Sequence, residues 1–521
     1  MDRPTSLSRL LNHGRPWDIA IIGGGATGMG IAVDAASRGY SVCLVEQSDF
    51  GKGTSSRSTK LVHGGVRYLQ QGNISLVMEA LRERGILRRN APHLVHDQAF
   101  VVPNYVWWET PFYGIGMKVY DMLAGRYGFG KSRLLSKEEV LERIPTLEQE
   151  GLRGGVLYYD GQFDDSRLLI DLARTADAHG AALVNYMRVV GLRRDEEQFV
   201  NGMEIEDLES GTRHIIAARS VINATGAFSD AIRRIDEPGT EPMIAPSQGV
   251  HVVLDRSFLP GNAAIMVPRT SDGRVMFAIP WHNHALLGTT DTEVKEATLE
   301  PVAMEQEIDF ILETAAQYLH KPPARSDVLS VFAGIRPLVK ASAGSTAALS
   351  RDHTIHVSKS GLLTIAGGKW TTYRRMAEDC VDHAATLGKL EEQPCVTKTL
   401  RIHGWHENAE QFGELKYYGS DAAQIRELMD ANPDLARQLH PALPIYAAQV
   451  VWAVRHEMAR TVDDVLARRT RALFLNARAA LAMAPDVARI MAEELGKDEA
   501  WAREQVAEFT DIAQGYLVHP A

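Results

Sequence analysis

Cysteine is nearly absent from this chain of 521 residues: Cys43, Cys380 and Cys395 are the whole complement, and no two stand at metal-ligand or redox-pair spacing. A disulfide scaffold and a thiolate metal site are therefore not expected, no other metal site is suggested, and a reducing compartment is the default. Long apolar runs are also missing. No stretch reaches the roughly 18 residues that a membrane-spanning helix needs. Residues 1–17 lack the apolar core of a signal peptide and read as a flexible arm before the first strand. There is no basic excess: 56 Lys and Arg stand against 66 Asp and Glu, a net charge of −10, which argues against an extended nucleic-acid-binding face. Repeats and low-complexity segments are absent. What remains, 45% hydrophobic and 23% charged residues, is ordinary globular composition on a chain long enough for two or three domains.

The most informative stretch is Asp18-Ile-Ala-Ile-Ile-Gly-Gly-Gly-Ala-Thr-Gly28. Its apolar run reads as a buried parallel strand, and Gly23, Gly25 and Gly28 follow in G-x-G-x-x-G spacing. An Ala-rich segment, residues 29–38, reads as the next helix. The glycines serve a tight turn, close backbone approach to a pyrophosphate and close packing of helix on strand. The helix start offers N–H groups and a positive dipole end to phosphate oxygens. Glu46 closes a second apolar run, where a carboxylate is expected to meet a ribose hydroxyl. Strand, helix, second strand and terminal acid together predict a Rossmann-like dinucleotide site.

Residues 50–69 are dense in glycine and small hydroxyls and end in His63, Gly64, Gly65, Arg67 and Tyr68, a pattern suited to a bound ring and to oxyanions. The spacing of residues 74–94 predicts an amphipathic helix whose Arg82 and Arg84 face solvent. Residues 105–129 hold eight aromatics, among them Trp107, Trp108, Phe112, Tyr113 and Tyr120, interleaved with Lys118 and Arg126. This composition suits a membrane interface, packing inside the domain or an oligomer contact. Residues 165–179 read as helix, 182–190 as strand, and 203–216 as a hairpin turning at Glu209-Ser-Gly211. A strand ending in Ala224-Thr-Gly226 follows. Residues 244–291 alternate like antiparallel sheet, 305–320 read as helix, and 327–331 as a strand leading into Gly334-Ile-Arg336. A third glycine hinge, Gly367-Gly368-Lys369, repeats the strand–glycine–helix geometry of the first. Beyond about residue 391 the chain reads as helical, with no clear strand after Pro441. Arg455, Arg460, Arg468, Arg469 and Arg471 are expected on a solvated helix face. The predicted fold class is thus α/β. A Rossmann-like cofactor-binding domain spans 17–390 in segments of about 17–75, 160–240 and 327–390. An interleaved antiparallel-sheet substrate domain occupies about 76–159 and 241–326, and an all-α domain fills 391–521.

An NAD site would need one compact pair of βαβ units, whereas here the sheet pieces return late in the chain. FAD fits better, being long enough to run from the Gly23 loop to the Gly367-Gly368 turn. There a helix start places positive potential beside the ring's N1/C2 oxygen. Gly23 to Gly28, Thr54-Ser-Ser, Lys60-Leu-Val-His-Gly-Gly-Val-Arg-Tyr-Leu69, Asn223-Ala-Thr-Gly226, Ile279-Pro-Trp281, Gly288-Thr-Thr-Asp291, Gly334-Ile-Arg-Pro-Leu338 and Gly367-Gly-Lys-Trp-Thr-Thr-Tyr-Arg374 together resemble the FAD-dependent glycerol-3-phosphate dehydrogenase family, among the D-amino-acid-oxidase-like flavoproteins. The resemblance covers about residues 17–385 closely and the helical region more loosely. It implies oxidation of sn-glycerol 3-phosphate to dihydroxyacetone phosphate by hydride transfer from C2 to flavin N5. It further implies that electrons pass to membrane quinone and that the protein is cytoplasmic and peripheral on the inner face of the cell membrane. No nucleic acid is expected as a partner, and a homodimer is left open. The FAD contacts expected are Gly23, Gly25, Ala26, Thr27, Gly28, Glu46 and Gln47, then Thr54, Ser55, Ser56, Lys60, His63, Gly64 and Gly65. Ala224, Thr225, Gly226, Gly367, Gly368, Lys369 and Thr371 complete them.

A substrate phosphate carries about two negative charges and calls for fixed cations, for which Arg67, Arg336 and Lys369 are the candidates, with Tyr68 and Thr289 as neighbours. Loss of the C2 hydroxyl proton calls for a base. His63 and His251 are equal candidates, with Arg336 beside them in the catalytic group. An oxidase of the same substrate using O2 would share every motif. An amine or amino-acid oxidase would keep the Gly23 loop with less need of the three cations. A nucleic-acid-binding or scaffold flavoprotein is disfavoured by the acidic balance.

Overall fold

The computed structural model describes residues 1–65, 74–106, 109–268, 270–271, 273–340 and 353–519. Arg67, Tyr68, Trp107 and Trp108 lie outside the described residues. Two sheets and a C-terminal helical region make up the architecture. The first sheet runs in the order His353–Val357, Leu363–Gly367, Arg213–Asn223, Trp17–Ile22, Val42–Val45, Ala182–Val184, parallel except for its first member. Both faces of the Trp17–Ile22 strand are buried, as a near-continuous apolar run requires. Ile19 and Ile21 pack under the helices Ala26–Ser37, Asp165–Ala178 and Tyr373–Leu387. Trp17, Ala20 and Ile22 pack on the opposite side with Met187, Val189, Met203, Ile205 and Leu10.

Leu10 belongs to a helix, Arg3–Leu11, N-capped by Asp2. Residues 1–17 are therefore not a loose arm. Arg3 is buried and donates to Asp207 at 2.6 Å, so the segment is tied to the sheet it precedes.

The second sheet is almost wholly antiparallel. Its order is Thr292–Glu293, Ile244–Asp255, His284–Gly288, Met276–Trp281, Ala263–Val267, Val95–Asn104, Gly154–Phe163, Leu61–Val62, with one parallel pairing between Ala263–Val267 and Val95–Asn104. Val328–Val339 hydrogen-bonds along Ile244–Asp255, Gly249 opposite Gly334 and Ser247 opposite Arg336. Grouping by sequence puts this strand with the cofactor segments. At the Gly249–Gly334 pair its partner is 85 residues earlier, and the pairing assigns it to the second sheet. Because Leu61–Val62 also joins that sheet, the chain after the Gly23 loop crosses from one sheet to the other, and the space between them becomes the site.

The C-terminal region is mainly helical: Ala422–Ala431, Ala447–Glu457, Ala477–Leu495 and Glu499–Gln514. Two short strands, Gln438–His440 and Leu443–Tyr446, form a hairpin that the apolar pattern, interrupted by Pro441 and Pro444, does not reveal. The arginine series divides. Arg455 and Arg460 are paired near the surface with Glu494 and Glu209. Arg468, Arg469 and Arg471 are buried, not solvated. Arg469 chelates Asp49 at 2.7 and 2.8 Å, Arg468 reaches the same carboxylate at 2.5 Å, and Arg471 donates to Asp165 at 2.9 Å. Arg167 makes a matching fork onto Glu457 at 2.7 and 2.9 Å. The seam between helical region and cofactor region is therefore built of desolvated ion pairs. Arg84 is a similar case: the Ile74–Asn90 helix forms as its spacing predicts, but Arg84 is buried on Asp160 at 2.6 Å while Arg82 is exposed.

Candidate active site

The Gly23 loop is sterically committed to glycine. Gly23 has φ +109°, and a Cβ there would lie 2.8 Å from the Ala224 carbonyl oxygen. A Cβ on Gly28 would lie 1.9 Å from the Gly23 carbonyl oxygen. The helix Ala26–Ser37 starts at Gly25, which has no side chain to cap it. Glu46 accepts the Gly24 N–H at 2.7 Å and the Ser48 N–H at 2.9 Å. Burial raises its pKa against those two donors.

A cavity of about 550 Å³ opens over this loop and extends to Gly367, Gly368 and Lys369 at the far end of the fold. Gly23, Gly25, Ala26, Thr27, Glu46 and Gln47 line one end. Thr54, Ser55, Ala224, Thr225 and Gly226 follow, and His63, His251, Arg336 and Thr371 lie toward the other. A second cavity of about 220 Å³ adjoins it, sharing Thr59, Leu61, His63 and Arg336, and adding Gly65 and Thr289. Four expected contacts line neither. Gly28 is spent on packing against Gly23. Ser56 is buried, and Gly64 donates its N–H to the Tyr120 hydroxyl at 2.9 Å. Lys60 is the clearest correction. Its ammonium is fully buried on Asp165 at 2.6 Å and the Ser56 carbonyl at 2.7 Å, and burial brings its pKa down to about 7. It braces the crossover under the cavity floor.

His251 is 2% exposed and lies on Ile244–Asp255 opposite Gly288, where a Cβ would sit 2.3 Å from its ring. Its ring stacks on Phe332 with centroids 5.0 Å apart, and Nε2 shares a 2.9 Å hydrogen bond with the Thr59 hydroxyl. Burial first, then the cations of Lys60 and Arg336, push its pKa well below the ordinary imidazole value. His63 borders both cavities, with its backbone N–H on the Thr371 hydroxyl at 3.2 Å. Arg336 is oriented from several sides. Nη2 donates to Thr289 Oγ1 at 3.1 Å and the Thr290 carbonyl at 2.9 Å, and Nη1 to Asp291 at 3.2 Å. The structure thus gathers His63, His251, Arg336, Lys369 and Thr289 from five separate segments. Thr59 joins them without having been singled out by the sequence, because one hydroxyl in a hydroxyl-rich run carries no mark of its own.

A long cavity, a loop with no room for a Cβ at Gly23 or Gly28, and a helix that starts at a glycine, its first N–H on the Ser55 hydroxyl at 2.9 Å, fit an extended dinucleotide whose pyrophosphate lies at the loop. Residues 18–374 match the family described as "FAD dependent oxidoreductase", and residues 363–502 match "C-terminal domain of alpha-glycerophosphate oxidase". Over 540 residues the chain is 43% identical to the probable mitochondrial glycerol-3-phosphate dehydrogenase of Caenorhabditis elegans, covering 97% of this chain and 74% of that one. This chain belongs to the FAD-dependent glycerol-3-phosphate dehydrogenase family. The mitochondrial glycerol-3-phosphate dehydrogenase of Mus musculus is 40% identical, with 94% and 72% covered. Among solved structures, the glycerol-3-phosphate dehydrogenase of Bacillus halodurans complexed with FAD superposes with a TM-score of 0.80 at 31% identity, covering 99% of this chain and 97% of that one. Membership of this family makes the chain an FAD-dependent enzyme, and the α/β fold with a helical C-terminal region is the family's own.

Proposed function

We infer that this member of the glycerol-3-phosphate dehydrogenases oxidises sn-glycerol 3-phosphate at C2 to dihydroxyacetone phosphate and passes the electrons to membrane quinone. The observation that carries this reading is a buried histidine in the wall of the larger cavity, His251, close to an oriented guanidinium, Arg336, that lines both cavities. FAD in the larger cavity supplies a two-electron acceptor when bound. Gly23 to Thr27 would hold its pyrophosphate, Glu46 and Gln47 its ribose end, and Gly367 to Lys369 the ring end. Arg336, which lines both cavities, would bind the phosphate together with Lys369 and Arg67. Thr289 would hold Arg336 in place, and Tyr68 would add a hydroxyl contact. His251 would accept the C2 hydroxyl proton, with Thr59 fixing its ring. In this division 17–390 forms the cofactor unit with the substrate sheet interleaved, and 391–521 the helical cover.

Membrane contact is part of the reading, at the cytoplasmic face and without insertion of a span. No helix among the described residues is long and apolar enough to cross a membrane. Ile74, Met78, Met122 and Leu134 are exposed on neighbouring elements around the aromatic helix Glu109–Ala124.

The direct test is anaerobic mixing of the holoenzyme with sn-glycerol 3-phosphate while following flavin absorbance. Bleaching is expected, with recolouring by a soluble quinone faster than by O2. Bleaching by glycine or sarcosine alone would overturn the assignment, and faster recolouring by O2 would make the chain an oxidase. Arg336→Ala should retain FAD and raise KM for glycerol 3-phosphate tenfold to a hundredfold. That is the loss of one charge-assisted contact of roughly 1.5–3 kcal/mol. Unchanged steady-state kinetics would remove Arg336 from the site.

A further inference from the structure

We propose that Arg274 is a second substrate-binding arginine, closing with Arg336 on the dianionic phosphate in the smaller cavity. The inference rests on the reading above and deepens it. Arg274 precedes the strand Met276–Trp281, in the turn of the hairpin that pairs Val267 with Met276. Three residues later Phe277 lies opposite Gly288, and Gly288 lies opposite His251 on its other side. The strand register therefore delivers Arg274 to the same sheet end as Thr289, Thr290 and Asp291, the residues that orient Arg336. Both arginines line the smaller cavity.

The composition of the cavity wall suits a small ligand with one strongly anionic end. Phe100, Tyr158, Met266, Val275 and Phe277 make an apolar side. The two carboxylates among the described residues of this wall are already engaged by the protein. Asp160 takes Arg84 at 2.6 Å and the Tyr120 hydroxyl at 2.7 Å, and Asp291 takes Arg336 and the Ser247 hydroxyl. A phosphate entering this space meets two guanidinium groups beside a mostly apolar wall, where charge-assisted bonds are strong. An unphosphorylated polyol would leave that end of the pocket unused.

The turn is closed through the Arg274 backbone. Its backbone N–H donates to Thr270 Oγ1 at 3.1 Å, and its carbonyl accepts from the Thr270 N–H at 2.8 Å and hydroxyl at 3.1 Å. Substitution of the side chain keeps these backbone groups in place. The test uses Arg274→Ala and Arg274→Lys as FAD-loaded full-length enzymes. The readouts are anaerobic flavin reduction by sn-glycerol 3-phosphate and displacement by inorganic phosphate as a competing dianion. Arg274→Ala should raise KM, and the concentration of inorganic phosphate needed for inhibition, at least tenfold, with kcat changed less than threefold. Added guanidinium should restore part of the loss. Arg274→Lys should fall between. KM and phosphate inhibition equal to the parent's would overturn the proposal, as would a KM rise that neither guanidinium nor lysine relieves. If the parent enzyme itself is not reduced by sn-glycerol 3-phosphate, the functional reading falls first and Arg274 with it.

Discussion

His251→Asn lowers kcat for sn-glycerol 3-phosphate about 10²- to 10⁴-fold, the range associated with loss of a positioned general base, while FAD stays bound and KM shifts only a few-fold. The expectation follows from protonation state as much as from position. A base must be neutral before it can act, and His251 is held neutral by burial and by the cations of Lys60 and Arg336. Those influences disfavour the imidazolium, so the reactive form persists down to a pH below the ordinary imidazole pKa of about 6.5. The acid limb of kcat/KM should accordingly fall below that value. A limb above it in the parent enzyme counts against His251. His63→Asn is the comparator, since His63 borders both cavities. If that variant loses as much kcat and His251→Asn loses little, the base is His63.

Asp49→Ala destabilises the folded chain by about 3–5 kcal/mol, the scale of stranding one partner of a buried ion pair. Against the upward push of burial, Arg469 and Arg468 hold the Asp49 carboxyl below its usual range. Removing it leaves two buried guanidinium groups without that carboxylate, although Arg468 keeps Asp463 and Asp464 at 2.8 Å each. Urea denaturation followed by tryptophan fluorescence should show a lower midpoint in the variant. The comparator is Arg455→Ala, whose pair with Glu494 lies near the surface and is worth under about 1 kcal/mol. Equal shifts in the two variants would mean that the buried seam adds nothing beyond a surface pair.

The strand–glycine–helix pattern around Gly23 was legible in the sequence because every one of its constraints is local. The match between Gly23 and Gly367 as the two ends of one cavity was legible for the same reason, since each is a short motif with its own geometry. Arg468, Arg469 and Arg84 were misread because helical spacing is identical for an arginine facing water and one facing a carboxylate. The partner that decides, Asp49 for Arg469, is 420 residues away. Lys60 failed similarly: a lysine among small hydroxyls looks like a cofactor contact until Asp165 is seen beneath it. Val328–Val339 joined the other sheet because strand pairing is a contact property that no single strand records.

The charged seam also governs what can move. Lys52 and Arg57 line the larger cavity, and both are gripped from the C-terminal side: Lys52 by Asp463 at 3.0 Å, Arg57 against the rings of Phe474 and Tyr516. Swinging the helical region away would require water to solvate Asp49, Asp165, Glu457 and their arginines all at once. That is a barrier of many ions rather than a hinge. The cavity therefore has one bank, on the side of Lys52 and Arg57, that a whole set of ion pairs holds in place.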